Sequence, residues 1–447
     1  MSLHDPVIYH IYPRSFADAN GDGNGDLAGI TAKLDYLADL GVDGIWLNPI
    51  YASPLVDMGY DVSDYRAIDP MYGTLDDFDR LVTQAHARNI AVLMDMVPCH
   101  TSIEHRWFTE HPEYYVWSPI DGPPNNWLSM FGGEAWSRDP RSGRWYMHLF
   151  YPEQPALNFH NPDVEAAIGA EMQFWFDRGV DGLRLDAVQF LYTDPELRDW
   201  QPIGDKVSTE VDPSISVWDC TPDAMLDLTG QWLQRLRTRH PDKYFVTEAN
   251  VAIDRLKPFT SNANASFCFE FLKYAQPELA VIEPLLQAAT QDPGIAWCIG
   301  NHDVGRLISR WGDKYARAAA TLVCTLPGSA FIYMGDEIGM TNGPGTTPPI
   351  DRYGRDAVRH PMQWHPDGGF TTGTPWLPMH NPADVNVAVQ ADESSSLLNW
   401  YRHLLQLRRE FVSEPLVWGN CDNNVLRYSR GRFEVAIDFT SGDVSVS

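Results

Sequence analysis

The chain has 447 residues, 44% of them hydrophobic, and carries 60 Asp and Glu against 33 Lys and Arg, a formal net charge of -27 at pH 7. So acidic a surface argues against a nucleic-acid backbone or an anionic membrane as partner, and no stretch has the continuous apolar length of a membrane span. What remains is a large globular domain with appendages, suited to a neutral substrate.

The first residues, Met1 to Pro6, run directly into the strand-like Val7 to Tyr12, which leaves no room for a signal peptide and makes the cytoplasm the expected location. Strand-like runs then recur with amphipathic helical stretches between them: Gly44 to Asn48, Ile90 to Met96, Gly182 to Asp186, Tyr244 to Glu248, Phe267 to Phe271, Ala296 to Gly300 and Ala330 to Met334. Eight βα units predict a closed (β/α)8 barrel with its site at the carboxyl ends of the strands, where several runs end in polar residues. An open doubly wound sheet is the rival, but no Gly-rich phosphate loop follows the first strand. The six cysteines (Cys99, Cys220, Cys268, Cys298, Cys324, Cys421) are scattered, with no pair at metal-ligand spacing, and read as free thiols.

After the first strand, Asp18, Asn20, Asp22, Asn24 and Asp26 alternate with small residues, mostly glycine. Oxygen ligands at every second position suit a chain wrapped around a hard cation, so structural Ca2+ is expected, Asn24 binding through its carbonyl; the bland alternative is an ion-free Asx turn. Asp57 and Tyr60 follow the second strand, an acceptor for sugar hydroxyls and a flat face for a sugar ring, or simply loop packing. From His100 to about Leu157 the helical pattern gives way to Trp, Tyr, Pro, Gly and Asn, with Trp107, Trp117, Trp127, Trp136 and Trp145 among them. This stretch is expected to form a small inserted subdomain walling the cleft. A second irregular stretch, Tyr192 to about Pro222, should shape the cleft mouth. Arg402 to Arg409 looks helical, and Val425 to Ser447 alternates like strands with turns at Gly431 and Gly442. The expected division is therefore 1–100 with 158–410 as barrel, 101–157 as insertion and 411–447 as a short β domain.

The chemistry centres on Gly182-Leu183-Arg184-Leu185-Asp186. On a strand Arg184 and Asp186 share a face, and the guanidinium should keep Asp186 ionised at neutral pH, either as a structural ion pair or as a nucleophile. Glu248 follows the apolar Phe245-Val246-Thr247, which favours its protonated form through desolvation. Asp303 lies beside His302, and His100 ends the third strand region. An ionised carboxylate and a protonated one are what glycosidic cleavage requires, with a third carboxylate to support the charged sugar of the transition state.

Four stretches in this order, Asp95 to His100, Gly182 to Asp186, Glu248-Ala249-Asn250 and Asn301-His302-Asp303, resemble the signature regions of the α-amylase family of retaining glycoside hydrolases, and Gln154-Pro155-Ala156-Leu157-Asn158 resembles its further motif. The Asp18 to Asp26 loop, Gly59-Tyr60-Asp61, Gly335-Asp336-Glu337-Ile338-Gly339 and Arg359-His360-Pro361-Met362-Gln363-Trp364 resemble its α-glucosidase and oligo-1,6-glucosidase branch. The resemblance implies Asp186 as nucleophile, Glu248 as acid/base and Asp303 as transition-state stabiliser. It implies that His100, Arg184, His302 and Tyr60 line the first sugar site and that Asp57 with Arg359 clamps the nonreducing end. It implies no organic cofactor. Cys99 stands where the family pattern has Asn, and the small Ala187 after the nucleophile resembles members preferring α-1,4 links. The expected activity is that of an exo-acting retaining α-glucosidase on short glucosides. A same-chemistry alternative is a glucosyl transferase or isomerase, trehalose synthase-like or sucrose-active. A noncatalytic sugar-binding protein is the alternative from another class.

Overall fold

The computed structural model describes residues 3–200 and 221–447. Eight parallel strands close a barrel in chain order: β1 (Val7–Ile11), β2 (Gly44–Leu47), β3 (Ala91–Met96), β4 (Gly182–Leu185), β5 (Tyr244–Thr247), β6 (Ala265–Phe267), β7 (Ile295–Trp297) and β8 (Ser329–Tyr333), with β8 pairing back onto β1. Each strand is buried along its length, because one face meets the barrel interior and the other the surrounding helices. Alternation assigns the faces. Ile8, Trp46, Leu93, Val246, Phe267 and Phe331 form the inner cluster, whereas Tyr9, Ile45, Val92, Leu183 and Phe245 join the outer core under the helices. Strand packing is tight enough at Gly182 that a Cβ there would lie 2.3 Å from the Tyr244 carbonyl oxygen.

One strand differs from expectation. The run Phe267 to Phe271 was expected as the sixth strand, but β6 is Ala265–Phe267 and Phe269–Tyr274 is a helix. The reason is pairing: Ala265 and Ser266 match Val246 and Thr247 of β5, and Ser266 and Phe267 match Ile295 and Ala296 of β7. Beyond Phe267 the alternating aromatics are used on a helix, where Phe269 turns to the barrel interior and Phe271 to the outer core.

Between β3 and the helix Pro162–Asp177 the chain forms a short helix, Arg106–Glu110, and a two-stranded ribbon, Trp136–Arg138 with Trp145–Met147. Trp107, Trp127 and Trp136 are buried in it. The expected irregular stretch from Tyr192 to Pro222 falls partly on 201–220, which lie outside the described residues, as does Cys220. After the helix Leu397–Phe411 come four antiparallel strands, β9 (Leu416–Trp418), β10 (Val425–Arg430), β11 (Phe433–Asp438) and β12 (Val444–Val446). The hairpin turns fall at Gly431 and Gly442, with φ of 57° and 84°. This sheet leans on the barrel through Arg430, which donates to the Thr325 carbonyl at 2.9 Å, and through the Tyr428 hydroxyl, 2.5 Å from Thr325 Oγ1.

Candidate active site

The inward rows that fill the barrel with apolar side chains end, at the carboxyl ends of the strands, in charged ones. Asp95 lies on the inward row of β3; Arg184 and Asp186 lie two residues apart on that of β4, and Glu248 immediately follows β5. The Arg184 guanidinium gathers them. Its Nη1 donates to Asp95 Oδ1 at 2.7 Å and to Asp186 Oδ1 at 2.5 Å, and its Nη2 donates to Glu248 Oε2. With 2% of the arginine exposed, these contacts are screened little by solvent.

Burial governs the protonation of the group. It raises the Asp186 carboxyl to about 6, Arg184 opposing the rise and Asp95 adding to it. It raises Glu248 further, to about 8, again against Arg184 and with Asp186 and Asp303 adding. A hydrogen bond between these two carboxyl groups favours the proton on Glu248 and the charge on Asp186. The expected order of the two groups holds, but Arg184 alone does not set it: desolvation outweighs the guanidinium at Asp186, so its ionised range begins near pH 6 and not lower. Asp95, which opens the signature stretch Asp95 to His100, is raised to about 6 by the same burial and is a third partner of Arg184.

Asp303 has the opposite character. Burial opposes its charge, but the cationic surroundings, with the guanidinium groups of Arg355, Arg359 and Arg184, outweigh burial and hold it well below the usual carboxylate range. Arg355 Nη1 lies 3.0 Å and Arg359 Nη2 3.1 Å from Asp303 Oδ1. His302 is kept neutral by burial. Its ring lies parallel to that of Tyr60, at 4° and 5.5 Å between centroids, and its Nε2 is 2.7 Å from the Tyr60 hydroxyl. That hydroxyl donates to Asp95 Oδ2 at 2.9 Å and accepts from Asn48 Nδ2 at 2.7 Å. Tyr60 is thereby fixed by the floor of the site.

Asp57 sits at the far side, on a loop folded around buried Asp61, whose carboxylate accepts from the backbone N–H of Val56 and Asp57 and from Ser53 Oγ. Gln154 Nε2 is 3.0 Å from both Asp57 Oδ2 and His100 Nε2, which joins the last two sugar-site candidates. His100, neutral through burial with its value lowered to about 4, also has Cys99 Sγ 3.2 Å from its Nδ1.

Asp57 is paired with Arg355, at 2.5 Å; Arg359, expected beside Asp57 at the nonreducing end of the sugar, makes its contacts elsewhere. Arg359 is fully buried and spends its guanidinium on Asp303, the His302 carbonyl and the Tyr12 hydroxyl. Arg355 opens the short 3₁₀ turn Arg355–Val358 that follows Gly354, and Arg359 ends it; both side chains reach Asp303, and the first extends to Asp57. The run Asp351 to Arg359 holds three arginines, and Arg355 lies one turn before the residue singled out.

The Asp18 to Asp26 loop is separate from this cluster. Asp18 Oδ1 accepts from the N–H of Asn20 and Gly21, and its Oδ2 from the N–H of Gly23 and the Thr371 hydroxyl. Asn20 Oδ1 and Asp22 Oδ1 accept from the N–H two residues on, Asn24 Oδ1 accepts from Arg14, and Asp26 caps the helix Leu27–Ala32 through the N–H of Gly29. Among the described residues no group of three or more His, Cys, Asp or Glu side chains could hold a metal ion. Asp18 accepts four hydrogen bonds in this arrangement, so an ion would have to displace some of them. Likewise, no described helix is long and apolar enough to cross a membrane.

Residues 10–418 match the α-amylase catalytic domain. The chain belongs to the α-amylase family of glycoside hydrolases. Within it, the chain is 38% identical to a probable α-glucosidase of Rhizobium meliloti (strain 1021), over 90% of this chain and 82% of that protein. It is 37% identical to an oligo-1,6-glucosidase of Heyndrickxia coagulans, over 91% of this chain and 84% of that one. Among solved structures, the α-glucosyl transfer enzyme XgtA superposes with a TM-score of 0.90 at 37% identity, over 98% of this chain and 91% of the other. The family's barrel, with an antiparallel sheet after it, is the architecture described above.

Proposed function

We propose that this family member is an exo-acting retaining α-glucosidase of short oligosaccharides or disaccharides. The observation that carries the reading is the split between two adjacent carboxyl groups under one guanidinium: Asp186 ionised above about pH 6, Glu248 protonated up to about pH 8. In the reaction, Asp186 attacks the anomeric carbon while Glu248 gives its proton to the leaving oxygen. The resulting glucosyl ester is then opened by water that Glu248, now the base, deprotonates. Asp303, held ionised, supports the positive charge that develops on the ring, and neutral His100 and His302 with Tyr60 face its hydroxyls. Asp57 and Arg355 close the pocket at the nonreducing end, which restricts the enzyme to one glucose at a time. In this assignment Arg359 keeps Asp303 and the His302 backbone in place.

The test is p-nitrophenyl α-glucoside with the wild type and Asp186→Asn, product anomers followed by NMR. Fast release with α-glucose appearing first, lost by about 10⁴-fold or more in the variant, is expected. Slow release indifferent to the substitution defeats the proposal. The preference proposed is α-1,4, because Ala187, next to the nucleophile in left-handed conformation with φ 45°, offers little bulk. Isomaltose cleaved much faster than maltose would overturn it.

A second reading is favoured by the likeness to a glucosyl transfer enzyme: interception of the glucosyl ester by a sugar instead of water. Chromatography of products from maltose and sucrose separates the two, since transfer leaves new disaccharides and hydrolysis leaves glucose. A division of the chain into barrel (1–100 and 158–410), insertion (101–157) and β domain (411–447) is part of the proposal. So is a cytoplasmic location, supported by the five described cysteines, Cys99, Cys268, Cys298, Cys324 and Cys421, all unpaired. Calcium is proposed for the Asp18 to Asp26 loop on its donor set alone, three carboxylates and two amides within nine residues. Binding would require Asp18 to exchange its N–H partners for the ion, and native mass spectrometry after calcium dialysis that finds no metal removes the proposal.

A further inference from the structure

The Asp57–Arg355 pair is covered on its outer side by a second set of contacts that the reaction does not use. The Arg355 guanidinium carbon lies 5.5 Å from the centre of the Phe131 ring and 5.7 Å from that of Tyr353. These two rings touch each other, 4.5 Å between centroids, across a junction of the segment after β3 with the loop after β8. Phe131 also packs on Tyr151 at 4.6 Å and on Phe150 at 5.4 Å. The preceding residue of the β8 loop, Arg352, lies 4.3 Å over the Tyr151 ring, and its Nη1 is 3.0 Å from Glu153 Oε1. Thus one side of the Arg355 guanidinium meets Asp57, Asp303 and Asp351, and the other meets aromatic rings.

We propose that Phe131 and Tyr353 form a plug that backs the Asp57–Arg355 clamp and shares with it the chain-length specificity, barring any sugar unit beyond the glucose held there; this rests on the exo-glucosidase reading above. The residues suit the task. A sugar attached to the nonreducing hydroxyl of the clamped glucose would have to pass outward of the clamp, where the rings meet. Two rings joined to different loops resist parting, because Phe131 is seated on Phe150 and Tyr151 and holds the ring of Tyr353 from that side. Arg352 supplies a cation–π contact and an ion pair to the same junction, and the pair is half-exposed, so the rings carry more of the closure than the salt link. Tyr353 is 45% exposed, so its removal opens the junction without cutting into the core.

The experiment uses p-nitrophenyl α-maltoside as probe and follows the first products. In the wild type the nonreducing glucose is cut off first, giving glucose and p-nitrophenyl α-glucoside. In Tyr353→Ala the maltosyl unit can seat as a whole, and direct formation of maltose with nitrophenol is expected to rise about tenfold or more relative to glucose. Phe131→Ala should shift products in the same direction, and Tyr353→Phe, which keeps the ring, should behave as the wild type. If both alanine variants are active yet release only glucose first, the plug is wrong while the exo reading stands. A wild type that itself releases maltose first overturns the exo reading, and one that releases neither glucose nor nitrophenol overturns the glucosidase reading; either result removes the plug with it.

Discussion

Two regions of this molecule are dense in aspartate, and they treat it in opposite ways. In the Asp18 to Asp26 loop the carboxylates are met by neutral donors from nearby backbone: Asp18 alone accepts from three N–H groups and a hydroxyl. Burial raises the proton affinity of Asp18, but those hydrogen bonds outweigh burial and lower it, whereas at Asp26, with fewer such donors, burial prevails. At the strand ends Asp95, Asp186 and Glu248 are buried with few neutral donors and share one guanidinium, and all three are raised. The difference is what makes one region a fold element and the other chemically poised. A carboxylate saturated by N–H groups is content in one charge state, whereas one left to a shared cation and a dry pocket can take or give a proton near neutral pH.

The sharpest way to break this contrast is Glu248→Gln. If the raised carboxyl is the acid, kcat/KM on maltose should fall about a thousandfold, and far less on p-nitrophenyl α-glucoside, whose leaving group needs little protonation. Equal losses on both substrates would deny Glu248 that role. Next in size is Arg184→Leu, which strips three buried carboxyl groups of their cation. A loss of about 3–5 kcal/mol at pH 8 is expected in urea unfolding, as for other broken buried pairs. The deficit should shrink at pH 5, because Asp95 and Asp186 near 6 and Glu248 near 8 are then largely neutral. A deficit independent of pH would mean that packing, not charge, is what Arg184 supplies.

A milder test reads the same groups in the intact enzyme. The active form needs Asp186 charged and Glu248 protonated, so kcat/KM should rise with pH through about 6 and fall through about 8. The corresponding stability effect has a definite sign. Glu248 holds its proton more tightly folded than unfolded, so between the ordinary glutamate range and pH 8 the native state binds more protons, and stability falls as pH rises. Glu248→Gln should lose that slope along with the alkaline limb of the rate profile. A limb that survives the substitution belongs to some other group.

Much of this was legible from residue order because strand alternation ties side-chain direction to position. Once Gly182 to Asp186 is taken as a strand, Arg184 and Asp186 must share a face, and the acid after Phe245-Val246-Thr247 must sit at a dry strand end. Three features were not legible, each for a physical reason. The sixth strand was displaced because the aromatic alternation of Phe267 to Phe271 fits a strand or a buried helix, and only pairing with Val246 and Ala296 decides. Arg355 was passed over for Arg359 because two arginines one turn apart carry no mark of which is longer in reach of Asp57. The contact of Phe131 with Tyr353 joins residues over two hundred positions apart, and no local pattern encodes it.

The smallest expected effect lies on the other side of the contrast. Asp18→Ala withdraws an acceptor from the Gly21 and Gly23 N–H groups at 2.7 and 2.8 Å, where the backbone runs at positive φ, and from the Thr371 hydroxyl. Because the loop is partly exposed, water replaces some of these partners, and a loss of about 1–2 kcal/mol in unfolding free energy is expected. The two limbs of the pH–rate profile should stay where they are in the wild type, since no group near Arg184 changes its surroundings. If instead the limb near pH 6 moves with Asp18→Ala, the loop and the strand-end cluster share a field, and the separation drawn between them fails. Repeating the unfolding with added calcium gives the same substitution a second use: a calcium-dependent gain in the wild type that Asp18→Ala abolishes would show that the loop trades its backbone donors for the ion.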